Sequence, residues 1–300
     1  MADLTASYDV TVFQRKTTGS VVCPACGSLV GVRDDKCYMC GRVNPGLWGF
    51  APALRQLGAD FGFVPLVIGA SGVLYVLSLI ASGNQLQVVG GGMSFLAPGV
   101  QALLLFGASG AVPVFGLGSW WTVLSASWLH GNLLHILFNM MWVRDLGPAT
   151  ADVIGPARTV VVYVAAGVCG FSLSSFAGRY IGPLPLLGGG AGITIGASAS
   201  IFGLLGALVH YGRMSGSSLI HGQAMRYAII LFVFGVIMPG VDNYAHLGGF
   251  IGGYATSAFF NPLTRERGDH MLMAVLCLVA TLLAIVASVL LGIQRLMPYR

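Results

Sequence analysis

The chain has 300 residues, of which 56% are hydrophobic and 8% charged, with a mean hydropathy of +0.82 and a formal net charge of +5. A soluble domain carries roughly a quarter of its residues as charges, so the composition excludes an ordinary soluble protein and points to a polytopic membrane protein. No basic patch suited to nucleic acid is present, and the glycine run Gly188 to Gly190 lacks the lysine and spacing of a phosphate cradle.

The first 60 residues hold six of the fifteen Lys/Arg and five of the ten Asp/Glu, which sets them apart as a polar segment ahead of the membrane part. No cleavable signal peptide is expected. Within this segment Cys23-Pro-Ala-Cys26-Gly and Cys37-Tyr-Met-Cys40-Gly are separated by ten residues. Two such knuckles predict a four-cysteine zinc ribbon at about residues 20–45. Four thiolates satisfy tetrahedral zinc and leave no open position, so the metal is expected to be structural. Two disulfides are the alternative, in an oxidising compartment. Cys169 and Cys277 lie in apolar runs and read as packing residues.

Residues 54–62 read as a linker or interfacial helix, and apolar runs of the length a bilayer requires then follow. Seven spans are expected, at about 63–82, 120–143, 158–178, 193–211, 224–239, 243–260 and 271–293. Residues 83–119 contain no charge and are expected to form a Gly-rich loop in the outer leaflet. Trp120, Trp121, Trp128 and Trp142 suit interfacial aromatic belts. If each span crosses once, twelve Lys/Arg fall on the amino-terminal side and three on the other. The amino terminus and ribbon are therefore expected in the cytosol and the carboxyl terminus outside, in the plasma (inner) membrane of a bacterium.

Chemistry is suggested by Ile193–Tyr211, ITIGASASIFGLLGALVHY, and Asn243–Phe260, NYAHLGGFIGGYATSAFF. Ser198 is expected about five residues into its span and His246 about three into its own, both entered from the outer side, roughly 5–8 Å deep at 1.5 Å per residue. Gly249 and Gly253 continue the face of His246, while Gly196, Ala199 and Gly203 line one side of the serine span. Small residues so spaced let helices approach until side chains share hydrogen bonds. Ser198 back-bonding to its own helix is the structural alternative. His130, His135 and Asn139 add polar groups to a third span, and such clusters within a membrane mark function. Ser200 lies about 200° around the helix from Ser198, so only one of the two faces His246. Phe202 either stacks on the imidazole or serves as a packing aromatic, and Asp242 either orients His246 or caps the helix.

Over about residues 60–260 the chain resembles the rhomboid family of intramembrane serine proteases. GASASIFGLLGAL is similar to the family's nucleophile helix, HGNLLHILFNM to its HxxxN element, and DNYAHLGGFIGG to its histidine helix. The resemblance implies an all-α core of six transmembrane helices over 63–260, to which residues 261–300 add a seventh and residues 1–53 a zinc ribbon. It also implies Ser198 as nucleophile and His246 as general base, with His135, Asn139 and the Ser198 amide forming the oxyanion hole and His130 supporting the site. The implied reaction is hydrolysis of transmembrane-helix substrates near the outer interface, with no cofactor for catalysis. Two positions depart from the family pattern: GASA replaces GxSG, and Trp121-Thr122 stands where a Trp-Arg pair is frequent. A silent rhomboid-like protein that binds transmembrane clients is the alternative. A transporter is disfavoured because charged mid-membrane residues and duplicated broken helices are missing.

Overall fold

The computed structural model describes residues 15–24, 26–56, 60–88 and 95–296. Residues 57–59 of the expected linker and 89–94 of the expected outer loop, like both chain ends, lie outside the described residues. The chain divides into two units, residues 1–62 and 63–300.

The first unit holds an antiparallel hairpin of β1 (Ser20–Val22) and β2 (Leu29–Gly31), with Val21 paired to Val30. Both valines are buried with Val32, Cys23 and Cys37 in a core of a few side chains. A short helix, α1 (Ala51–Gln56), follows.

Among its described residues the second unit contains α2 (Phe63–Ala81), two short helices, α3 (Val100–Leu105) and α4 (Thr122–Ser125), and then six long helices. These are α5 (Leu133–Ile154), α6 (Pro156–Tyr180), α7 (Ser198–Ser215), α8 (Ser218–Ile237), α9 (Asn243–Phe260) and α10 (Gly268–Leu296). Among the described residues four helices, α2, α6, α8 and residues 268–294 of α10, are long and apolar enough to cross a membrane, as about 20 apolar residues match the hydrocarbon thickness. The protein is a helical membrane protein.

Helix α7 is central, packed by α5, α6, α8 and α9, and its residues from Ala199 to His210 are all buried. The small residues expected to let helices approach do so: a Cβ on Gly253 would stand 2.0 Å from the Gly203 carbonyl oxygen, and one on Gly206 2.2 Å from that of Phe250. Only glycine fits such a seam.

Two expected boundaries are corrected. The long helix of the span placed at 120–143 starts only at Leu133, where the side chain of Asn132 caps α5 by accepting from the His135 amide at 2.7 Å. Trp128, expected in an interfacial belt, is instead buried and packs edge-on against Tyr163. The span placed at 193–211 starts at Ser198. Thr194 pairs in an antiparallel bridge with Ser109, and Gly196 has φ +119°, outside the helical region. Among its described residues the loop expected at 83–119 carries α3 and a wide helical turn at Val112–Gly116. Cys169, expected to pack inside, is exposed, although its Cβ abuts Gly252.

Candidate active site and cysteine cluster

Ser198 is the first residue of α7, whose N-terminus carries no side-chain cap. First-turn amides of a helix have no carbonyl partner within it, and that end bears the positive pole of the peptide dipoles. His246 lies in the first turn of α9, and its Nε2 is 3.0 Å from Ser198 Oγ. For the hydroxyl to donate, Nε2 must be bare and Nδ1 must carry the proton. The imidazole lies flat on Phe202, with ring centroids 4.3 Å apart and planes 18° from parallel, which holds its plane fixed.

His135 approaches from α5. A Cβ on Gly196 would meet His135 Nε2 at 2.6 Å, so this ring edge is set against the turn leading into Ser198. The Gly131 amide donates to His135 Nδ1 at 3.3 Å, which makes Nδ1 the acceptor and leaves the proton on Nε2. Asn139, one turn on, is buried and donates to the His135 carbonyl at 2.8 Å, keeping its second amide hydrogen for another acceptor. His130 is buried edge-on to His135, centroids 5.1 Å apart, and does not reach the serine.

Two residues weighed from the sequence take other roles. Ser200 is fully buried with its Oγ 3.2 Å from that of Ser127, away from His246. The carboxylate of Asp242 caps α9 by accepting from the Ala245 amide at 3.0 Å, and it also accepts from Ser174 Oγ. It does not bond His246, whose Nδ1 is buried without a hydrogen-bond partner. The arrangement is a pair and not a triad. Sequence reasoning missed that Ser198 opens its helix. The dense glycines at 188–190, 192 and 196 were the available signal, since such a stretch disfavours helix.

A family model described as Rhomboid domain matches residues 117–263. "Putative rhomboid protease YdcA" of Bacillus subtilis (strain 168) is 31% identical over 145 residues, covering 47% of this chain and 67% of that protein. The chain belongs to the rhomboid family. "Rhomboid protease GluP" of the same organism is 31% identical over 180 residues, 59% of this chain but 33% of its own length. "Inactive RHOMBOID-like protein 8" of Arabidopsis thaliana is 30% identical over 136 residues, 44% of this chain and 35% of its own. The chain thus spans well under two thirds of those last two rhomboid relatives, and the family includes members named inactive.

In the amino-terminal unit Cys23, Cys26, Cys37 and Cys40 bring their sulfurs within 4.8 Å of one another. Each knuckle closes on a glycine with positive φ, Gly27 at +76° and Gly41 at +71°, whose amides donate to the carbonyls of Cys23 and Cys37 at 2.9 and 2.8 Å. The Cys26 thiol is lowered to about 6, chiefly by hydrogen bonds from the Ser28 side chain and amide, which favours the thiolate a metal requires. Four convergent sulfurs with this geometry are compatible with a metal site.

Proposed function

We propose that this rhomboid-family chain is an intramembrane serine endopeptidase acting through a Ser198–His246 dyad. The observation that carries the reading is the 3.0 Å contact of Ser198 Oγ with His246 Nε2 at the uncapped start of α7. His246 takes the hydroxyl proton as Oγ attacks a peptide carbonyl, then returns it to the leaving amine. Water, activated by the same imidazole, hydrolyses the acyl-enzyme. The developing oxyanion is stabilised by the Ser198 amide, His135 Nε2–H and the free hydrogen of the Asn139 amide. His130 steadies His135.

The substrate is a transmembrane helix unwound near the outer interface, because an amide inside a helix is shielded by its own turn. The split of twelve basic residues against three supports an amino terminus in the cytosol, a carboxyl terminus outside and a site opening outward. Cys23, Cys26, Cys37 and Cys40 would hold a zinc ion that stabilises the fold of the small amino-terminal unit and takes no part in hydrolysis.

The relative named inactive favours a second reading, in which the chain binds transmembrane clients without cleaving them. A fluorophosphonate probe on purified protein separates the two. Labelling of the wild type that disappears in Ser198→Ala supports the protease; an unlabelled wild type that still captures a model transmembrane helix supports the binder.

A further inference from the structure

We propose that Asn243 is the positioning residue for His246, its side-chain oxygen accepting the Nδ1 proton of the imidazole through one bridging water. The inference rests on the dyad reading and deepens it. A general base with a bare Nε2 must carry its proton on Nδ1, and a buried N–H without an acceptor is costly. Asp242, the nearest carboxylate in sequence, is engaged by the Ala245 amide and Ser174.

Asn243 opens α9 three residues before His246, on the same face of the helix. It is buried, and its amide nitrogen donates to the Leu186 carbonyl at 3.3 Å. That bond fixes the amide with its oxygen on the other side, where Oδ1 is buried without a partner, as is His246 Nδ1. The two orphan atoms converge on one point of α8. A Cβ on Gly235 would stand 2.4 Å from Asn243 Oδ1 and 3.3 Å from His246 Nδ1, so the atoms are separated by at most the sum of those distances. Two hydrogen bonds of about 2.8 Å laid end to end span such a gap, and a water with two polar partners is stably held in a buried site. Glycine at 235 lets both polar atoms, and Val241 Cγ1 at 2.9 Å from the same point, approach the backbone of α8.

The test compares kcat, KM and the pH dependence of cleavage of a model transmembrane substrate in detergent for wild type, Asn243→Ala, Asn243→Asp and Gly235→Ala. Ser198→Ala is carried as the control. Asn243→Ala is expected to lower kcat by about 10- to 100-fold with little change in KM, as is Gly235→Ala, whose methyl group displaces the amide. Asn243→Asp should recover most of kcat. A carboxylate beside Nδ1–H favours the imidazolium, so it should also move the acid limb of the profile to higher pH by about one unit.

A merely structural role would not move that limb, and Asn243→Asp decides the matter even where the alanine variant fails to fold. An inactive, unlabelled Ser198→Ala together with a wild-type acid limb in Asn243→Asp overturns this inference alone. Cleavage by Ser198→Ala overturns the dyad reading and this inference with it.

Discussion

Gly249 of α9 presses on the backbone of Ala199 in α7: a Cβ on the glycine would fall 2.1 Å from the Ala199 carbonyl oxygen. The contact lies one residue beyond Ser198 and one turn beyond His246, so it sets the distance between the two helices that carry them. Gly249→Ala is expected to destabilise the protein by about 1–3 kcal/mol, the usual effect of overpacking, and to abolish cleavage by parting the dyad. The Ala199 methyl group points at Gly170 of α6, where a Cβ would meet it at 2.8 Å. Ala199→Gly should therefore keep activity equal or higher while losing about 1–2 kcal/mol of stability. Thermal unfolding in detergent alongside cleavage measures both; an inactive Ala199→Gly would contradict this packing argument.

Ser198→Ala and His246→Ala are each expected to lower turnover of a model transmembrane substrate by about 10⁴-fold or more. Ser198 is half-buried and hydroxyl removal leaves no large cavity, so the melting temperature of Ser198→Ala should match the wild type. Retained cleavage in Ser198→Ala would mean a different nucleophile.

His135→Ala and Asn139→Ala should each reduce kcat by about 10²–10³-fold, the effect of losing one oxyanion donor, while Ser198 still reacts with a small fluorophosphonate. Steady-state kinetics that leave kcat unchanged in both variants would remove them from the oxyanion hole.

The long helices at Phe63–Ala81 and Pro156–Tyr180 were legible in the sequence, because these runs are apolar over a bilayer's thickness. That Ser198 and His246 meet was legible too, since both follow small residues near the same end of their helices. The start of α7 was not. Ile193 and Ile195 prolong the apolar run, and what keeps them out of the helix is a bridge from Thr194 to Ser109, a long-range pairing no local window contains. For the same reason Asn243 was not legible: its side chain and that of His246 meet beside Gly235, in another helix.

The Asp242 carboxylate caps α9 and makes no hydrogen bond to the His246 imidazole. Asp242→Asn should therefore lower kcat by less than about tenfold, where the aspartate of a triad is worth about 10⁴. Asp242→Ala should cost about 0.5–2 kcal/mol through the lost cap. A drop of several thousandfold in the asparagine variant would restore the triad.

The cysteine cluster is expected to bind one zinc per chain, measured by metal analysis, and to lose it in the double variant Cys23→Ser, Cys26→Ser. A chelator should unfold the amino-terminal unit only. A chain starting near Leu54 should still cleave in detergent; a folded but inactive truncation would tie the ribbon to catalysis.

The buried guanidinium of Arg158, at the start of α6, donates to the Asn261 and Thr264 carbonyls and to His270 Nδ1, while its backbone amide meets Glu266. All four partners lie more than 100 residues later in the chain. During synthesis at about 5–20 residues per second, this arginine waits on the order of 5–20 s, its charge held by water or headgroups at the membrane edge, before its partners emerge. Helix α6 therefore enters the membrane as a provisional member of the bundle, and the segment joining α9 to α10 is the clasp that makes its place permanent.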